Sequence, residues 1–226
     1  MSLLHSARRP RTKMGKTAAF DEQPDDYDAW FEIHSDLYRA ELEAVRSFIP
    51  AGGSGVEIGV GSGRFAAPLG ISIGVEPAPC MAGLARQRGI EVLEAVAENL
   101  PIADASFDFA VMVTVVCFLD NVALAFREAC RILKPNGVFV IGFIDRESEL
   151  GQQYGQKKAQ SRFYRDATFY SVSELEALLN EAGFSGFEYR QTLVPGETTD
   201  LTVREGHGSG GFVIIRAHKT EGGKQA

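Results

Sequence analysis

A chain of 226 residues with 45% hydrophobic content has the material for one α/β domain with a sizeable core, which sets disorder aside. No apolar run reaches the roughly 18–20 residues of a bilayer span and the first residues lack the apolar centre of a secretory signal, so a cytoplasmic, membrane-free protein is expected. The formal charge is −7, yet Arg8, Arg9, Arg11, Lys13 and Lys16 precede any acid, which leaves 18 bases against 30 acids in the rest; so acidic a body repels phosphate backbones and sets a nucleic-acid partner aside.

In chain order, residues 1–20 form a basic leader, read as a frayed terminus in preference to a nucleic-acid arm. Over 27–48, Trp30, Phe31, Leu37, Leu42, Val45 and Phe48 fall on or near one apolar stripe, which predicts a helix closed by Pro50 and a glycine cluster. Short apolar runs follow at 56–59, 71–75, 92–93, 107–113 and 138–144, alternating with helical stretches near 64–69, 80–88 and 122–133. That rhythm is βαβ and predicts a parallel sheet. The runs around Val111 and Val140 are apolar at nearly every position, as in central strands covered on both faces. Lys134-Pro135-Asn136-Gly137 is a turn signal between the third helical stretch and the next strand. Beyond Asp145, 147–160 is polar and 173–182 reads as a helix with Ser171 or Ser173 as N-cap. Strands at 187–193 and 212–217 flank a glycine-rich loop over 194–211, and 219–226 is a polar tail. Cys80, Cys117 and Cys130 form no CxxC pair, so reduced thiols are expected, without a structural metal.

The chemistry concentrates in Val56-Glu57-Ile58-Gly59-Val60-Gly61-Ser62-Gly63, where alternate glycines turn a buried strand into a helix and let a ligand approach without a Cβ in the way. Glu76 ends the next strand 17 residues after Gly59, where a carboxylate can accept both hydroxyls of a ribose. A nicotinamide dinucleotide site has similar features, and spacing does not separate them: counted from Gly59 the third G-x-G-x-x-G position is Arg64, counted from Gly61 it is Ala66. Charge separates them better. Glu57, two residues before the first glycine, would repel a pyrophosphate and attract the ammonium and sulfonium of S-adenosyl-L-methionine.

Together with Glu76, Ala97-Glu98-Asn99-Leu100-Pro101, Ser106-Phe107-Asp108 and Arg131-Ile132-Leu133-Lys134-Pro135-Asn136-Gly137, that run resembles the class I S-adenosylmethionine-dependent methyltransferases of the methyltransferase type 11 group. The resemblance spans about residues 57–143, with weaker echoes at Tyr27-Asp28-Ala29-Trp30-Phe31 and in the last strands. It implies a Rossmann-like α/β fold with a mostly parallel seven-stranded sheet ordered 3-2-1-4-5-7-6, the last strand antiparallel, and helices on both faces. It further implies one methyltransferase domain over 21–218, with a lid helix over 21–50 and substrate-side insertions at 146–170 and 194–211. On that resemblance Glu57, Gly59, Gly61 and Gly63 hold the methionine and ribose part of the cofactor and Glu76 the ribose hydroxyls; Pro77 and Met81 lie against the adenine, Ala97 and Glu98 at its edge, and Thr114 and Val115 beside the sulfonium. Each has a plainer alternative: Met81 as core filling, Cys117 as an inert buried thiol, Trp30 as core, Asp108 as a turn anchor.

Methyl transfer from a sulfonium is an in-line displacement that rests mainly on alignment and water exclusion. A base is optional. His34, Tyr170 and His207 are the candidates, each with a surface or packing role as its alternative. Tyr27, Trp30, Phe163, Tyr164 and Phe169 are expected to line the pocket of a small-molecule acceptor. The competing functions are a cofactor-binding domain without catalysis and an NAD(P)-dependent oxidoreductase; Glu57 with Ala97-Glu98 speaks against the second.

Overall fold

The five apolar runs form strands β1 (Gly55–Ile58), β2 (Ile73–Val75), β3 (Glu91–Leu93), β4 (Phe107–Val113) and β5 (Leu133–Ile144) in a computed structural model that describes residues 16–195 and 202–220. All five are parallel, and β6 (Phe184–Thr192), β7 (Arg204–Glu205) and β8 (Phe212–Lys219) complete a sheet ordered β3-β2-β1-β4-β5-β8-β6-β7. The strand β8 runs antiparallel to both β5 and β6. The expected order is thus present, with β8 in the seventh-strand place and β7 added at the edge inside the 194–211 loop, where Arg190 pairs with Glu205 and Gln191 with Arg204.

Helices α1 (Ala18–Glu22), α2 (Pro24–Ile33) and α3 (Ser35–Arg46) precede the sheet, α4 (Ala66–Leu69), α5 (Pro79–Gln87) and α6 (Val122–Ile132) connect its parallel strands, and α7 (Glu149–Lys157) and α8 (Val172–Glu181) lead into β6. Two apolar layers cover the sheet. One joins Val56, Ile58, Phe139 and Val213 to Phe126 of α6 and Leu175 of α8. The other joins Val111, Val140 and Ile214 to Val45 of α3, Ala66 of α4 and Ala82 of α5. Each of the valine, isoleucine, leucine and phenylalanine side chains taken wholly out of water stabilises the fold by about 1.5–3 kcal/mol, which is why β4 and β5 lack the polar alternation of a one-faced strand.

Four expectations change in detail. The single helix over 27–48 is two, because the chain breaks at His34 (φ −113°, ψ 44°) and α2 swings over the glycine turn while α3 lies on the sheet. The leader expected to reach residue 20 is helical from Ala18, with Phe20 buried; residues 1–15 lie outside the described residues, as do 221–226 of the expected tail. Lys134-Pro135-Asn136-Gly137 makes its excursion inside β5, where Leu133 pairs with Phe107, Val138 with Phe109, and Asn136 is left-handed at φ 62°. The polar stretch over 147–160 contains α7, capped by Ser148. Ser171 is the cap of α8, in a capping box with Glu174. Among the described residues no helix is long and apolar enough to cross a membrane.

Candidate active site

The chain builds β1, β2 and β3 outward to one side and then β4 and β5 to the other, so β1 and β4 are neighbours whose connections part in opposite directions. A crevice opens at the carboxyl ends of strands at such a point. There Gly59-Val60-Gly61-Ser62-Gly63 leads from β1 towards α4, held to β2 by the N–H groups of Gly59 and Val60, which donate to the Val75 carbonyl at 2.7 and 2.9 Å. Gly61 and Gly63 both have positive φ, 54° and 85°, but for different ends. A Cβ at Gly63 would stand 2.5 Å from Ile90, so that glycine lets the turn pack on its own scaffold. At Gly61 nothing is nearer than Met81 Cε at 3.6 Å, so its outer face opens on the cleft.

Two buried acids flank the turn. Glu57, on β1, is 2% exposed, and its Oε2 is sealed without a hydrogen-bond partner. Burial pushes its carboxyl well above the usual range, a backbone bond from Ala66 opposes this, and the neighbouring Glu76 adds to it. Glu76, at the end of β2, accepts the Gly61 N–H on Oε2 and the Ala78 N–H on Oε1, both at 2.9 Å. Burial raises it to about 7 against those two bonds. Such a pair disfavours an anion at the turn and suits a ligand that brings positive charge and hydroxyl donors.

A cleft of about 620 Å³, counting its open mouth, lies above the turn. Gly59, Gly61, Glu76, Pro77, Met81, Ala97, Thr114 and Val115 border it, all expected at the cofactor from the sequence. Glu57 lies behind the turn and Gly63 faces α5. Glu98 is not on the wall either: its Oε1 accepts the backbone N–H of Asp120 and Asn121 at 2.9 and 3.1 Å, tying down the start of α6. Sequence reasoning missed Thr17, Phe20, Phe118 and Leu119 on the wall. The signal for Phe20 was an apolar run, Ala18-Ala19-Phe20, inside a stretch read by its charge.

At the far end, Thr114 (φ 53°) is shared with a second, smaller cavity, about 260 Å³ counting the space at its mouth, bordered by Cys117, Tyr164, Phe169 and Tyr170. Tyr27, facing the Thr114 hydroxyl, borders the first cavity and packs with Phe20 and Phe163 at ring distances of 5.0 and 5.4 Å. Of the expected acceptor residues, then, Tyr27, Tyr164 and Phe169 border the two cavities, and Phe163 borders neither but packs on Phe20 and Tyr27. Trp30 does not: it joins the core beside Phe31 and stacks on His34 at 4.8 Å. Exposed His34 sits at the α2–α3 break, and exposed His207 lies against Tyr189 at 4.9 Å; neither borders a described cavity. Tyr170 does, and burial raises its hydroxyl. Burial likewise pushes the Cys117 thiol up to about 12, which leaves it inert near neutral pH. Glu41 borders neither cavity: it occupies the apolar stripe of α3, midway between Leu37 and Val45, is 7% exposed, and burial raises it to about 8.

Comparison with known proteins places this geometry among relatives. Residues 56–141 match the family model described as a methyltransferase domain. An uncharacterized protein of Methanocaldococcus jannaschii is 44% identical over 202 residues, covering 88% of this chain and 98% of its own. A malonyl-[acyl-carrier protein] O-methyltransferase of Geobacter sulfurreducens is 30% identical over 190 residues, covering 75% and 70%. A crystal structure from Thermotoga maritima, described as a SAM-dependent methyltransferase and possible histamine N-methyltransferase, superposes with a TM-score of 0.87 at 49% identity, covering 90% of this chain and 100% of that one.

Proposed function

The chain belongs to the class I S-adenosylmethionine-dependent methyltransferases, and from that premise we propose that it methylates a small organic molecule, with the cofactor in the cleft above Gly61 and the acceptor beyond Thr114. The observation that carries this reading is Glu57 Oε2, an unpartnered carboxylate oxygen enclosed behind a glycine turn whose middle residue opens on the cleft. An isolated buried carboxylate costs several kcal/mol unless a partner is brought to it. When bound, S-adenosylmethionine supplies a methyl group on a positively charged sulfur, open to attack by an acceptor atom on the far side.

The chain's own residues then have separate tasks. Glu57 attracts the positive charge of the cofactor, and Glu76 accepts from the ribose hydroxyls in place of its bond from Gly61. Pro77, Met81 and Ala97 give the adenine an apolar bed. Thr114 stands where the cleft meets the smaller cavity, with Val115 next to it on the cleft wall, so they set the line along which the acceptor approaches. Helices α1 and α2 cover the cofactor end, Phe20 and Tyr27 excluding water, while 146–170 furnishes the acceptor end through Tyr164 and Phe169. The relatives' descriptions differ in acceptor, one a malonyl-[acyl-carrier protein] O-methyltransferase and the other a possible histamine N-methyltransferase, so the pocket of this chain decides its own.

The test is methyl transfer itself. Incubated with S-adenosylmethionine labelled in the methyl group and a desalted cell extract, the protein is expected to put label into compounds that pass an ultrafiltration membrane retaining macromolecules. Label found in protein or RNA alone would overturn the small-molecule reading while leaving the transferase intact.

A further inference from the structure

Between β3 and β4 the chain runs from 94 to 106 without helix or strand, and two residues of this connection, Ala95 and Ala97, border the cleft. Connections of that length are usually functional. No regular ladder fixes such a segment from within, so its shape rests on what it is bonded to. The Asn99 N–H closes a turn on the Val96 carbonyl at 3.1 Å, with Ala97 and Glu98 as its central residues. The Ala97 N–H has no hydrogen-bond partner among the described residues, which leaves a main-chain donor unused in a residue of the cleft wall.

Helix α6 holds that turn at both of its ends. Glu98 ties it to the start of the helix through the N–H groups of Asp120 and Asn121. Further along α6, Glu128 Oε2 accepts the Leu100 N–H at 2.8 Å, and Arg131 closes the network. The Arg131 guanidinium donates from Nε to Glu128 Oε1 at 2.7 Å and from one terminal nitrogen to the Ile102 carbonyl and to Asp104 Oδ1, both at 2.7 Å. Its other terminal nitrogen donates to the Leu100 carbonyl at 3.1 Å and to Glu128 Oε2 at 2.8 Å. A guanidinium has five N–H donors, so all of them are engaged, and three of these bonds go to the connection. The bonds from Arg131 also hold the Glu128 carboxyl below its usual range. A lysine would keep the charge, but its three donors on a flexible stem do not reproduce this planar fork.

We propose that Arg131 is a positioning residue for the adenine ring: through Leu100, Ile102 and Asp104 it holds the Val96–Asn99 turn so that the unused Ala97 N–H meets the N1 acceptor of adenine. Arg131 borders neither cavity, so it acts through the turn, and the proposal rests on the methyltransferase reading above. Adenine accepts at N1 whereas hypoxanthine carries a proton there, so a donor held in place favours the first and opposes the second. Calorimetry with S-adenosylhomocysteine and its hypoxanthine counterpart, S-inosylhomocysteine, reads that choice. The wild type is expected to bind the adenine form about tenfold or more tightly. In Arg131→Lys the adenine form weakens about tenfold and the ratio falls to within about threefold. Lys134→Met breaks the ion pair of Lys134 with Asp108 (2.9 Å), elsewhere in the same motif, and is expected to keep the wild-type ratio whatever stability it loses. The proposal is overturned if the wild type does not discriminate, if Arg131→Lys keeps the ratio, or if Lys134→Met loses it as well. Should Arg131→Lys not fold, Glu128→Gln, which keeps an acceptor for Leu100 and removes the charge facing the guanidinium, is judged by the same ratio. Failure of the wild type to bind either compound sinks the methyltransferase reading and this proposal with it, a result distinct from binding both forms equally.

Discussion

Glu76 receives two backbone N–H bonds, from Gly61 and Ala78, yet burial still raises it to about 7, because two neutral donors do not replace the water it has lost. In the role proposed for Glu76 the form that accepts from ribose hydroxyls is the ionised one, so protons would compete with the cofactor. Between pH 8 and pH 6 a group titrating near 7 goes from about nine-tenths to about one-tenth ionised. Burial moves Glu57 the same way, so the affinity for S-adenosylhomocysteine is expected to fall roughly tenfold or more over that interval. Titration calorimetry at the two pH values measures it, and Glu76→Gln should bind weakly but with a flatter profile. A flat wild-type profile would remove Glu76 from the site. Stability runs with the opposite sign: a carboxyl raised from 4.5 to about 7 contributes fully below about 4.5 and loses that contribution as pH rises through about 7. The empty protein is therefore least helped by Glu76 at the pH where the cofactor is best held.

The position of α2 depends on one carboxylate. Asp28 accepts from Ser62 Oγ at 2.6 Å, from Arg64 Nε at 2.9 Å and a second Arg64 nitrogen at 2.6 Å, and from Arg88 at 2.7 Å, joining α2 to the glycine turn and to the end of α5. Burial alone would raise Asp28, but these bonds more than reverse it and hold the acid below its ordinary range. Replacing it by Asn keeps the size and removes both ion pairs, which in a half-buried setting is expected to cost about 1–3 kcal/mol of unfolding free energy. Denaturant titration reads that loss, and hydrogen exchange should show the amides of 24–33 opening faster while those of β4 and β5 are unchanged. Equal protection of α2 in both proteins would show that other contacts hold it. The same bonds explain why the break at His34 was not legible: the apolar stripe runs through it, and the partners that turn α2 away lie 34 to 60 residues further on. β7 escaped notice for a related reason, since a two-residue strand has no periodicity and exists only by pairing with β6. The strands and helices that were legible are those whose own pattern repeats, β4, β5 and α6 foremost.

Across the whole molecule, the sheet order and much of the border of the cleft could be read from the sequence because both follow from a local unit, strand, turn and helix, repeated along one direction. The end beyond Thr114, where we place the acceptor, could not, because it brings together Phe118, Tyr154, Tyr164 and Phe169 from segments that share no motif. At the other end Phe20 packs on Met81, Ala78, Phe118 and Phe163, so a ligand filling the cleft would add contacts both to the sheet ends and to the N-terminal helices. Occupancy should therefore stabilise the chain as a unit. A ligand at 100 times its dissociation constant contributes about 2.7 kcal/mol, which for a domain of this size moves the melting midpoint by about 5–10 °C. S-adenosylmethionine and S-adenosylhomocysteine are each expected to produce that shift. NAD, matched in its adenosine half but carrying a pyrophosphate, should leave the midpoint in place, since Glu57 and Glu76 would both lie beside its charge. An equal shift with NAD would mean that the adenosine half alone accounts for recognition and that the sealed carboxylate behind the glycine turn contributes nothing to the choice of cofactor.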